Sequence, residues 1–154
     1  MKKIFLLFCF IFLCIPVFAW NEKAAEESLQ YLNNLVYPKM TKFKKILESD
    51  YTKIKKYNSI SKQNVNHINS KKIYNFGLAC KKRHQKLLNI YENEYFKPAY
   101  KKYSELDNSM SFEDWKYSVA LSEMSLFYEF YRSTEVNLEY CDKLKHLNTR
   151  GLKN

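Results

Sequence analysis

The chain has 154 residues, with 26 lysines and arginines against 16 acids and three histidines, a formal charge of +10. It holds only two glycines and three prolines, too few turn formers for a strand-rich fold and too few glycines for a loop that cradles phosphate through backbone amides. The length suits one domain, large enough to bury a core without metals or many disulfides.

In chain order, Lys2 and Lys3 give a basic start, and Ile4 to Phe18 form an apolar run interrupted only by Pro16. Val17-Phe18-Ala19 then resembles the small-residue site cut by a signal peptidase. The run is shorter than the roughly 20 apolar residues of a membrane span. Residues 1–19 therefore read as a cleaved signal, leaving a mature chain from Trp20 to Asn154 as one helical domain, periplasmic or secreted. Cys9 and Cys14 leave with the signal, and bulky Phe8 and Leu13 before them do not suit lipid attachment.

Helical periodicity dominates the mature chain. Ala25, Leu29, Leu32 and Val36 mark the apolar stripe of a first helix, which Pro38 stops or restarts. Met40, Phe43, Leu47, Tyr51 and Ile54 mark a second. Asn58 to Ser70, crowded with Ser and Asn, is the expected loop. A third helix from about Ser70 carries Ile73, Gly77, Cys80, His84, Leu87 and Tyr91 on one face, with Gly77 placed to let another helix approach closely. Pro98 should kink or end it, leaving a short helical piece to about Leu106. Ser111 and Asp114 resemble a capping pair for a last helix, whose stripe runs Tyr117, Ala120, Met124, Phe127, Tyr131, Thr134, Leu138 and Cys141. The expectation is an all-α bundle of four to five helices.

Cys80 and Cys141 are the mature cysteines, and in an oxidising compartment two cysteines most simply pair. Closing a loop of 61 sequence steps should stabilise by about 4 kcal/mol through the entropy of the unfolded chain. With both thiols bonded, His67, His84 and His146 share no ligand spacing for a metal, and no cofactor is expected. A Cys80–His84 nucleophile would need an exposed, activated thiol, whereas the stripe places both residues near the core. No pair of carboxylates stands in a recognisable catalytic context. The chain reads as a non-enzyme.

Charge is unevenly spread. From Lys39 to Lys102 there are 17 cations against 4 acids, whereas Tyr103 onward has 6 against 9. Part of this reflects the heavy use of Lys, Asn, Ile and Tyr that AT-rich codons produce, and a solvated face is the plain reading of it. The densest cluster is Lys81, Lys82, Arg83 and Lys86, and the aromatic run Phe127, Tyr128, Phe130 and Tyr131 winds around the last helix. Aromatics with polar tips favour interfaces. These eight residues are the candidate partner-binding set. The expectation is an exported, non-enzymatic binding protein of a bacterial envelope docking a protein partner, acidic in character, of the immunity, inhibitor or secretion-accessory type. The alternatives are a basic module on an anionic glycan or lipid surface, or a secreted effector; export disfavours nucleic acid.

Mass spectrometry of the exported protein should find Trp20 at its N-terminus. Retention of Met1 to Ala19 would instead mean that the apolar run anchors the chain.

Overall fold

The computed structural model of the protein describes residues 21–61 and 67–147. The expected signal segment and its cleavage site lie outside them. Among the described residues the chain is helical almost throughout, with no strand. It forms α1 (Glu22–Val36), a 3-10 turn (Tyr37–Lys39), α2 (Met40–Ser61), α3 (His67–Ile90) and a π-helical turn (Tyr91–Phe96). After these come α4 (Lys97–Leu106), α5 (Phe112–Trp115), a second π-helical turn (Lys116–Ala120), α6 (Leu121–Glu123) and α7 (Ser125–Leu147). The small all-α bundle with one Cys80–Cys141 disulfide is thus the fold, with the two Cα atoms 5.7 Å apart. No described helix is long and apolar enough to cross a membrane.

Local chemistry explains the boundaries. Asn21 caps α1 by accepting a hydrogen bond from the Ala24 amide at 3.2 Å, satisfying an amide that has no helical partner. The Asn21 amide in turn donates to Asp107 Oδ2 at 3.3 Å, tying the start of α1 to the corner after α4. Pro38 sits in the 3-10 turn and the helix resumes at Met40. Pro98 lacks an amide hydrogen and its ring would strike the carbonyl four residues back. The wide turn just before it takes up the mismatch, the Lys97 amide bonding five residues back to Glu92, and the helix continues to Leu106. Ser111 caps α5 as expected, its hydroxyl accepting from the Asp114 amide at 3.2 Å.

Three expectations change. The loop expected over Asn58–Ser70 is shorter, because α2 runs to Ser61 and α3 begins at His67. Ser59 bonds its hydroxyl to the Lys56 carbonyl at 2.8 Å without leaving the helix. Tyr51 is 45% exposed, and Asp50, at 3%, takes its place on the buried side of α2. The last helix is not continuous. The π-helical turn adds a residue to one turn and Met124 breaks the helix with φ −100° and ψ 68°, so Tyr117 faces solvent while Trp115, Val119 and Ala120 face inward.

Two apolar clusters fill the bundle. The larger joins α1, the first part of α2, both π-helical turns, α4 and the start of α7 around Tyr91, Phe96, Trp115 and Phe127. Its rings meet edge to face, as in Phe43–Tyr91 at 5.2 Å and Tyr91–Phe127 at 5.3 Å, an arrangement adding about 0.5–1.5 kcal/mol per pair beyond burial. Buried polar tips find partners: the Trp115 indole donates to Ser28 Oγ at 3.2 Å, the Thr134 hydroxyl donates to the Phe130 carbonyl at 2.7 Å, and the Tyr91 hydroxyl pairs with Thr134 Oγ1 at 3.3 Å. The smaller cluster, Ile54, Ile73, Cys80, Cys141 and Leu144, closes the other end of α2, α3 and α7.

Gly77 makes the α3–α7 approach close. A Cβ there would stand 2.9 Å from the Cys141 carbonyl oxygen and 3.2 Å from the Lys145 nitrogen, backbone atoms that cannot rotate away. Gly77→Ala should therefore destabilise by about 1–2 kcal/mol, because overpacking outweighs the roughly 1 kcal/mol gain in helix propensity. A urea-unfolding midpoint equal to or above the wild type would contradict this.

Candidate functional site: a buried polar layer beneath a basic face

Between the two apolar clusters lies a layer of buried polar groups. Asp50 of α2 sits between Leu47 and Ile54, His84 of α3 between Cys80 and Leu87, and Asn137 of α7 between Thr134 and Cys141; all three are buried. The Asn137 amide donates to the Leu47 carbonyl at 3.4 Å. Asp50 receives a two-pronged contact from Arg83, Nε to Oδ2 at 3.0 Å and Nη2 to Oδ1 at 2.7 Å. Such paired geometry is the strong form of a charge-assisted hydrogen bond.

His84 Nε2 lies 3.2 Å from Asp50 Oδ2, at ion-pair distance but off the line of a hydrogen bond, and neither ring nitrogen has a hydrogen-bond partner. Burial pushes the Asp50 carboxyl up, yet its contacts with His84 and Arg83 outweigh that and hold it below the ordinary carboxylate value. Asp50 is therefore a buried anion at neutral pH. The disulfide adjoins it, with a ring nitrogen of His84 and the sulfurs of Cys80 and Cys141 all within 4.8 Å of one another.

The structure separates the eight partner-binding candidates. Lys82 and Lys86 are exposed on the outer side of α3. Lys81 and Arg83 flank the helix and are engaged, Lys81 with Asp142 at 2.7 Å and Arg83 with Asp50. On α7, Tyr128 is exposed and Phe130 and Tyr131 are half-buried against the larger core. Phe127 is fully buried. A residue walled in by Tyr91 and Phe96 cannot meet a partner in this fold, so Phe127 is a core residue and the aromatic run is not one surface.

Sequence reasoning passed over two charged groups. Asp50 occupies a stripe position of α2, but its countercharge comes from 33 residues away, beyond any local pattern. Lys116 is also buried, its ammonium 2.9 Å from Glu113 and 3.4 Å from Glu92, with the Tyr117 ring centroid at 4.8 Å. Burial would lower its pKa, but Glu113 and Glu92 outweigh that and raise it. Lys116 is a charged anchor across the two π-helical turns, unsuited to act as a neutral amine.

The Asp50 contacts give a pH dependence of defined sign. A carboxyl whose folded pKa lies below its ordinary 3.8 stabilises fully above that value and loses the contribution as pH falls through the folded pKa. Asp50→Asn should cost about 1–3 kcal/mol at neutral pH. The gap from wild type, measured by urea unfolding at several pH values, should narrow below 3.8. A gap constant far into acid would refute the assignment.

Comparison of the chain with known protein families, with characterised proteins and with solved structures finds no match to any of them.

Proposed function

We propose that this is an exported, non-enzymatic binding protein that docks an acidic protein partner against α2 and α3. The observation that carries the reading is the charge of these two helices. Together they hold twelve lysines and arginines, and their only acids are Glu48 and Asp50. Asp50 is buried, so Glu48 is the single surface anion of the pair. Helix α3 has no acid at all, and Lys71, Lys72, Lys82 and Lys86 are exposed on it. Helix α2 also borders an apolar foothold. A groove of about 350 Å³ between α2 and α7 is lined by Leu47, Tyr51 and Val136 together with Glu48 and Arg132, and Lys55 lies 4.5 Å over the Tyr51 ring. An apolar foothold beside a face of complementary charge is the anatomy of a protein interface.

A second reading, an anionic glycan or lipid surface, draws support from the spacing of those lysines. Lys71 to Lys86 spans about 22 Å of helix, a linear array that suits a polyanion. An enzyme finds less support, because the buried polar groups are sealed from solvent and Lys116 is held charged.

The reading is tested by comparing the mature protein with a Lys71→Gln, Lys82→Gln, Lys86→Gln variant. Association with a purified acidic envelope protein should slow about tenfold in the variant, and slow again with added salt. Dissociation should change little, because exposed charges at the edge of a complex mainly set the approach. Binding confined to phosphatidylglycerol vesicles would favour the second reading, and an association rate indifferent to salt and substitution would reduce the basic helices to a solvated face.

A further inference from the structure

We infer that in the dithiol state of the chain Cys80, His84 and Cys141 form a metal site for a zinc-type divalent ion, so that the α3–α7 contact can be pinned by a covalent bond or by a metal. This rests on the polar layer and not on the proposed partner. The three side chains are fully buried, and their ligand atoms lie within 4.8 Å of one another. A tetrahedral zinc ion with bonds of about 2.3 Å to sulfur and about 2.0–2.1 Å to nitrogen needs ligand atoms roughly 3.5–3.8 Å apart. With the cysteine Cα atoms 5.7 Å apart, released thiolates reach that separation by side-chain rotation. His84 follows Cys80 by one helical turn, so both project from the same face of α3; Cys141 supplies the third ligand from α7.

The state of His84 points the same way. A buried imidazole with neither nitrogen hydrogen-bonded leaves polar atoms uncompensated. Asp50 Oδ2 stands 3.2 Å from Nε2, the position of the carboxylate that orients a metal-bound histidine from behind. This leaves Nδ1 for the ion, and two thiolates with one imidazole select zinc-like metals over magnesium or calcium.

The interconversion balances. A dithiol reductant passes two electrons and two protons to the Cys80–Cys141 bond and itself becomes a disulfide. The incoming ion then displaces one proton from each thiol. Removal of two electrons by a disulfide oxidant reforms the sulfur–sulfur bond and expels the ion.

The test uses the full mature chain, reduced with a phosphine, desalted without oxygen and titrated with Co²⁺ as a spectroscopic stand-in for zinc. The reduced protein should bind one equivalent, with sulfur-to-cobalt charge transfer and tetrahedral d–d bands that zinc abolishes, and the oxidised protein should show neither. His84→Gln should lose the tetrahedral spectrum, and Asp50→Asn should weaken binding about 10–100-fold. As a measurement independent of these variants, zinc should raise the urea midpoint of the reduced wild type and leave the oxidised protein unchanged. No spectrum in the reduced wild type, a spectrum indifferent to His84→Gln, or a midpoint unmoved by zinc would each overturn the site.

Discussion

The contact of α3 with α7 is the constraint on which the rest of the molecule depends. At Gly77 the two backbones come so near that a methyl group would press on a carbonyl oxygen of α7, and one turn further along α3 the disulfide joins the same pair of helices. Close approach fixes the distance between the helices, and the bond fixes their register. Helix α2 must then lie in the remaining groove. It meets α3 through the tilted Tyr57–Phe76 ring contact at 5.0 Å and through the Arg83–Asp50 pair, and α7 through the Asn137 amide.

The opposite end of the bundle is held differently. Around Tyr91, Phe96 and Trp115 there is no covalent link among the described residues, and the packing is aromatic. The two π-helical turns lie within this region, and each re-aims the side chains after it by adding a residue to one turn. The first turns Tyr91, Tyr95 and Phe96 all inward. The second carries Lys116, whose ammonium spans to Glu92 on the first. Each irregular turn thus faces the other across a part-buried ion pair.

Much of this was readable in the sequence. The α3 stripe of Ile73, Gly77, Cys80, His84, Leu87 and Tyr91 is buried at every position, because five regular steps along one helical run leave little room for another arrangement. The disulfide followed from having two cysteines on two apolar faces. What escaped was whatever depends on distant partners. A local pattern favours Tyr51 over Asp50 for a core position, because burying an unpaired carboxylate is costly; only the folded chain brings Arg83 and His84 to it. The irregular start of the last helix escaped for another reason. The capping pair at Ser111 and Asp114 was plain, but nothing in a three-four spacing announces an extra residue per turn, and that residue rotates Tyr117 to solvent. Phe127 lies on the predicted stripe of the last helix, and its ring contacts with Tyr91 and Phe96 make it a core residue and not a surface aromatic.

The buried polar layer has a further consequence for uniqueness of assembly. Two apolar clusters, one largely aromatic and one largely aliphatic, would by themselves tolerate α2 sliding by a turn, since oil against oil has little preference for position. Asp50 meets His84 and Arg83 of α3, and Asn137 of α7 bonds the Leu47 carbonyl one turn away on α2. A slip of about 5.4 Å, one helical turn, would carry Asp50 from Arg83 into contact with aliphatic or aromatic side chains, stranding it at a cost of several kcal/mol. The layer therefore works as a key in a lock of grease: it adds little to the sum of burial, and it admits one alignment.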